Sequence, residues 1–173
     1  MLRYVLCFFC DFQHQYFVAI GRRTPESRRS DGKLIAKDKG IKVSTTNQTK
    51  SGAFEGYVKL TVVTSKRERS IAGTVFSDGK PRFIQIKGIT VDAEIGQHML
   101  YTTNNDVPGI IGLLGNTLGQ NGVNIANFTL GRKEAGGDAI ALLYVDAPVP
   151  TDVREKLKGT GLFNSITPLQ FDV

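Results

Sequence analysis

The chain has 173 residues, of which 40% are apolar and 22% charged, and its formal net charge is +6. This is ordinary globular composition for one domain or two small ones, and it excludes both a disordered polar chain and a membrane-buried one. The charge is uneven: residues 1–96 carry +8 and residues 97–173 carry −2, which points to two units with different tasks.

The opening "MLRYVLCFFCDFQHQYFVAIGRR" starts like a secretion signal, but its apolar run breaks at Asp11 and no small-residue cleavage site follows. It is also too interrupted to span a bilayer, which takes about 20 mostly apolar residues. Cys7 and Cys10 are the only cysteines. A C-x-x-C can be half of a zinc site or a redox pair, but no second pair exists. Neither His14 nor His98 stands at a spacing that completes four ligands, so no metal site is expected. Without a disulfide framework, a reducing cytoplasm fits best. Residues 1–30 carry no recognisable pattern and are expected to be a disordered leader. A truncated or frame-disrupted gene, or a wrongly chosen start, accounts for them better than a purposeful fusion. "GRRTPESRRSDGK", 21–33, reads as a basic linker.

From Leu34 to Ile95 the pattern is strands cut by turns. "GYVKLTVVT" places Val58, Leu60 and Val62 on one face, and "RSIAGTVF" alternates around Ile71, Gly73 and Val75. "SDGK", 77–80, is an Asp-Gly hairpin turn. "RFIQIK" and "ITVDAEI" follow, the latter with Ile89, Val91, Ala93 and Ile95 at period two. The expectation is a small antiparallel sheet of about four strands within a unit spanning 31–96.

After Gly96 the pattern changes. "HMLYTTN" reads as a strand, 108–120 as a helix, and "VNIANFTLGR" as a second strand. "EAGGD" is a turn, and "AIALLYVDA" is an apolar strand buried on both sides. Thr151 is placed to cap a short helix, "TDVREKLKG", before a last strand in "NSITPLQFDV". The order β-α-β-β-α-β predicts a ferredoxin-like α+β unit over 97–173, with both helices on one face of the sheet. The opposite face, or an edge, needs cover, which points to a partner subunit.

The stretch "NNDVPGIIGLLGNTLGQNGVNIANF", 104–128, carries the chemistry. Asp106 before Val107-Pro108 reads as an N-cap, with proline in the first turn. Ile110, Ile111, Leu113, Leu114 and Leu118 form the expected buried face. Gly112, Gly115 and Gly119 fall on one smooth stripe that would let another backbone approach, and this offsets their cost in a helix. Gly122 suits the left-handed residue after the helix. Free helix N–H groups suit a carboxylate, while Asn104 and Asp106 suit an ammonium, so a small zwitterion would be matched at both ends. A plain capping and turn role for Asp106 and Asn104 stays open at this level.

"HMLYTTNNDVPGIIGLLGNTLGQNGVNIANFTLGR" followed by "GGDAIALLYVDAPVP" resembles an ACT domain, an amino-acid-binding regulatory module. The preceding "DGKLIAKDKGIKVS" and "RSIAGTVFSDGKPRFIQIKGITVDAEIGQHMLY" resemble the region before the ACT domain in long-form D-3-phosphoglycerate dehydrogenases, where an intervening domain binds substrate or other anions. The resemblance covers some four-fifths of the chain and only the C-terminal regulatory part of that family. It implies L-serine or a similar amino acid as ligand, held between the strand-to-helix turn of one subunit and the helix-end region of its partner. The matching positions are Asn104, Asp106 and Asn124, with Gly109 and Ile110 opening the helix. It further implies a homodimer through the ACT domain, with the glycine stripe at the contact.

No G-x-G-x-x-G follows a strand, and "GLLGNTLGQNG" has the wrong spacing for a dinucleotide loop. Neither histidine is placed for hydride transfer. The chain by itself is therefore expected to be no enzyme and to bind no cofactor. NAD belongs to the full-length family and catalysis to a separate chain or region. An anion site at Lys66, Arg67, Arg69, Lys80 and Arg82 is a second reading, since arginine forks suit phosphate. A stand-alone ACT subunit for another amino-acid enzyme is a third. Nucleic acid is not expected, because no aromatic stacking platform interleaves the basic residues.

Overall fold

The computed structural model describes residues 56–63 and 68–172, together with Lys37, Asp38, Gly40, Lys42, Ser44 and Ser65. The leader, the Cys7–Cys10 pair and the basic linker lie outside these residues. The fold is α+β, with two four-stranded antiparallel sheets and two helices among the described residues.

Strands β1 (Val58–Val63), β2 (Glu68–Val75), β3 (Pro81–Ile86) and β4 (Ile89–Glu94) form a simple meander in chain order. The Asp-Gly turn closes β2 on β3 as its sequence predicts. Gly79 takes φ +77°, and the Lys80 N–H donates to Asp78 Oδ1 at 2.9 Å. Between β3 and β4, Lys87 and Gly88 both have positive φ, which a two-residue hairpin with the right twist requires.

The second sheet is built by β5 (His98–Asn105), helix α1 (Ile110–Gln120), β6 (Ile125–Arg132), β7 (Asp138–Val145), helix α2 (Thr151–Gly159) and β8 (Phe163–Gln170). Its spatial order, β6-β7-β5-β8 with every pair antiparallel, is the ferredoxin-like arrangement. Two local expectations change. Thr151 is the first residue of α2 rather than its cap, the cap position being Pro150, and the Thr151 hydroxyl accepts a bond from Arg154. Ile111 is 54% exposed, so the buried face of α1 is Ile110, Leu114 and Leu118, with Leu113 at its margin.

Strand β7 sits at the centre of three layers, and its alternation explains how. Ala141, Leu143 and Val145 face the helices, against Leu114, Leu118, Val153 and Leu157. Ile140 and Leu142 face the other way, into a second core with Phe83, Ile86, Ile89, Val91 and Phe171. The helix-free face of the second sheet is thus covered by the first sheet of the same chain. Cover for that face therefore comes from within the chain.

Strand β6 meets β4 at Gly131. A Cβ there would lie 2.8 Å from Ile89 Cγ2, from the Thr90 carbonyl oxygen and from Val91 Cγ1. Gly131→Ala is expected to destabilise the chain by about 1–3 kcal/mol in urea melts through overpacking. Gly112→Ala is the control. Its Cβ would meet nothing within 4 Å, so the gain in helix propensity, up to about 1 kcal/mol, should appear as added stability in the single chain. Equal and favourable effects at both positions would mean that the two sheets do not pack as described.

Candidate functional site

The turn from β5 into α1 is built differently from a capped helix start. After Asn105 the chain passes through Asp106, Val107 and Pro108 to Gly109, whose φ of +92° only glycine takes without strain. Helix α1 begins at Ile110 with Gly109 in the cap position and no side-chain cap. The first ladder bond runs from Leu113 N–H to the Gly109 carbonyl, so the N–H groups of Ile110, Ile111 and Gly112 precede the ladder at the positive end of the helix.

Asp106 does not cap. Its backbone N–H donates to the Gly137 carbonyl at 2.8 Å, which ties the turn to the β6–β7 hairpin. Its carboxylate Oδ2 accepts from Arg132 Nη1 at 2.6 Å and from the Gly136 N–H at 3.3 Å. The Arg132 bond, followed by the Gly136 bond, holds the Asp106 carboxyl below the ordinary value of 3.8. The sequence cue of an Asp before Val-Pro was sound chemistry aimed at the wrong donors, because the left-handed Gly109 turns the helix start away from it.

Antiparallel register explains why Arg132 is there at all. Arg132 pairs with Ala139, and Ala139 with Asn104, so the three form one row across β6, β7 and β5. The small Ala139 separates the two polar residues. One step along on the same face, Leu130, Ala141 and Thr102 repeat the row. Asn104 is 2% exposed. Its Nδ2 donates to the Asn105 carbonyl at 2.7 Å, while its Oδ1 is buried with no partner among the described residues. The Thr102 hydroxyl beneath it is likewise buried and unpartnered among them.

These residues surround a pocket of about 310 Å³. Asn104, Asp106 and Arg132 give it polar walls, Gly109 and Ile110 bring the helix start, and Val107, Ile111 and Leu130 make an apolar rim. Four of the positions picked from sequence, Asn104, Asp106, Gly109 and Ile110, therefore come together. Asn124 does not join them. It stands past the far end of α1, exposed, with its Nδ2 donating to Asp146 Oδ2 at 2.7 Å. An 11-residue helix, roughly 16 Å long, separates it from the pocket. Arg132 and Leu130 were missed by sequence reasoning. The signal that could have found them is the cross-strand register implied by the ferredoxin-like order.

Two of the basic residues picked in the first sheet, Lys80 and Arg82, flank the β2–β3 turn and are both engaged with carboxylates. Arg82 donates to Asp78 at 2.6 Å and to Asp92 at 3.3 Å, and its guanidinium carbon lies 4.5 Å from the centroid of the Phe76 ring. Lys80 pairs with Glu94 at 2.8 Å. Arg69 lies opposite Val62, five residues along β2 from Thr74, the residue paired with Arg82, and one of its bonds is to its neighbour's carbonyl. Lys66 and Arg67 lie outside the described residues. No group of His, Cys, Asp and Glu among the described residues is arranged to hold a metal. No helix among them is long and apolar enough to cross a membrane.

Residues 31–87 match the D-3-phosphoglycerate dehydrogenase intervening-domain family. The chain is a relative of the regulatory region of D-3-phosphoglycerate dehydrogenase. Over 135 residues, 78% of the chain, it is 33% identical to the D-3-phosphoglycerate dehydrogenase of Synechocystis sp.. It is 36% identical over 127 residues, 72% of the chain, to that of Methanocaldococcus jannaschii. In both cases it spans only 24% of the relative's length. A probable L-serine dehydratase beta chain of Bacillus subtilis is 22% identical over 123 residues, which are 71% of this chain and 56% of that one.

Proposed function

We propose that the chain is a regulatory module of the D-3-phosphoglycerate dehydrogenase type, which binds L-serine or a similar small amino acid at the β5–α1 pocket. The observation that carries the reading is the buried, unpartnered Asn104 Oδ1, set beside the Asp106 carboxylate and opposite an uncapped helix start. A buried carbonyl oxygen left without a donor costs about 1–3 kcal/mol, and a ligand ammonium would satisfy it. The helix N–H groups and the Arg132 guanidinium are the donors on the pocket wall that could take the carboxylate. On this reading the NAD site and the hydride-transfer residues belong to sequence that this chain does not supply, and the module itself is not an enzyme.

The module acts as a homodimer in this proposal, in the cytoplasm. Three large apolar side chains at the rim, Val107, Ile111 and Leu130, are 41%, 54% and 40% exposed, which favours a second copy over the pocket mouth. A Cβ at Gly112, Gly115 or Gly119 would meet nothing within 4 Å among the described residues, so the stripe is open for that contact. The partner's Asn124 would then complete the site. A second reading, a separate subunit regulating another amino-acid enzyme, draws on the likeness to a dehydratase beta chain.

Sedimentation and a thermal melt, each with and without millimolar L-serine, test the proposal. A dimer whose melting temperature rises is expected, since ligand at about 100 times its Kd adds about 2.7 kcal/mol. A folded chain that gives no heat with any of the common amino acids on calorimetric titration sinks it. Activity restored when the chain is mixed with a catalytic part of D-3-phosphoglycerate dehydrogenase would separate the first reading from the second.

A further inference from the structure

The Asp106–Arg132 ion pair stands on the pocket wall, at the place where a bound zwitterion would need a partner for each of its own charges. We propose that an amino acid enters by exchanging ion pairs, its ammonium displacing Arg132 from Asp106 and its carboxylate displacing Asp106 from Arg132. This makes Arg132 the carboxylate-binding and selectivity residue of the site. The inference rests on the amino-acid reading above and adds a residue, a direction of approach and a rule of selection to it.

The two partners are not equally fixed. The Asp106 side chain is 21% exposed, and the residue is held by two further bonds to the hairpin, from the Gly136 N–H to its carboxylate and from its own N–H to the Gly137 carbonyl. The Arg132 side chain is 56% exposed. Arginine is thus the partner that moves. A guanidinium offers five N–H donors in a planar fork, enough to grip a carboxylate bidentately. Asp106 keeps its place and offers Oδ2 to the incoming ammonium, next to the unpartnered Asn104 Oδ1.

Charge bookkeeping then selects the ligand. A zwitterion leaves every charge in the pocket paired, two new pairs for one old one. A simple amine would evict Arg132 from Asp106 and leave the guanidinium with nothing in exchange. A simple carboxylate would do the same to Asp106. Arg132 is half exposed and is solvated by water when evicted, so what either class forgoes is the second charge pair, and both bind more weakly than the zwitterion.

The test is a cycle on the whole chain: wild type and Arg132→Gln, each titrated with L-serine and with L-serinamide at about pH 6, where both ligands carry the ammonium. Wild type is expected to bind serine at least about 10-fold more tightly than the amide. In Arg132→Gln, serine should weaken by roughly 10- to 100-fold, while the amide, which no longer has an Arg132 to evict from Asp106, should hold or gain affinity. The acid-over-amide preference then collapses, and Arg132→Lys restores part of it. Full preference kept in Arg132→Gln would assign the carboxylate to the helix N–H groups and overturn the proposal. So would tighter serine binding in that variant, because Arg132 would then be only a competitor for Asp106. A wild-type chain that binds neither ligand removes the amino-acid reading itself, and the exchange with it.

Discussion

Phe83→Ala is expected to cost about 3–5 kcal/mol, a large share of the 5–15 kcal/mol that holds a typical domain together. Phe83 is 1% exposed in the middle of β3 and packs against Phe171 with ring centroids 6.0 Å apart and the planes tilted by 54°. Phe171 follows β8, so the pair joins the first sheet to the end of the chain. Around them Met99, Ile140 and Leu142 present the helix-free face of the second sheet. Removing the ring empties the layer between the sheets rather than a corner of one. Loss should therefore be shared: a single urea transition moves to lower denaturant, and amide exchange quickens in β5 and β7 as well as in β3 and β4. Phe83→Leu, which keeps most of the volume, should lose far less. If the alanine variant left β5 and β7 fully protected while β3 and β4 exchanged freely, the two sheets would be independent folding units.

The elements themselves were legible from periodicity and turn chemistry. Ile89, Val91 and Ala93 at period two gave β4, and the Asp-Gly step gave the β2–β3 turn. The apolar run of β7 announced a strand covered on both faces, and it is. What covers it was not legible. A strand pattern shows that a face is apolar and not whether the cover comes from this chain or another, and here β4 and β3 supply it.

The site was half legible for a related reason. Asn104, Asp106, Gly109 and Ile110 are close in sequence, so local turn chemistry was enough to group them. Arg132 lies 26 residues beyond Asp106 and reaches it only because β6, β7 and β5 are in one register. The same long-range pairing took Asp106 away from the helix cap that its position promised. Local propensity proposes a partner, and the tertiary row decides which donor arrives. Among the described residues nothing packs within 4 Å of where a Cβ on the glycine stripe would stand, which is why its role belongs to the dimer proposal.

Asn104→Leu is expected to raise stability and abolish binding together. Leucine has nearly the shape of asparagine without its polar atoms, and the site is 2% exposed on the helix-facing side of β5. In the native chain one amide bond is made, Nδ2 to the Asn105 carbonyl, and one buried acceptor goes unmade. Losing the first costs about 0.5–1.5 kcal/mol, while removing the second returns about 1–3 kcal/mol and buries more apolar surface. The net is a gain of about 1 kcal/mol, or roughly 2–4 °C in melting temperature for a chain of this size. Ligand affinity should fall by roughly 10- to 150-fold, the worth of a hydrogen bond to a charged ammonium. An asparagine kept only to close a turn would behave in the opposite way, since its loss would lower the melting temperature and leave any ligand untouched. A residue that costs its own fold stability and is needed only when a ligand is present is what a sensing site requires, and a melt beside a titration separates the two cases.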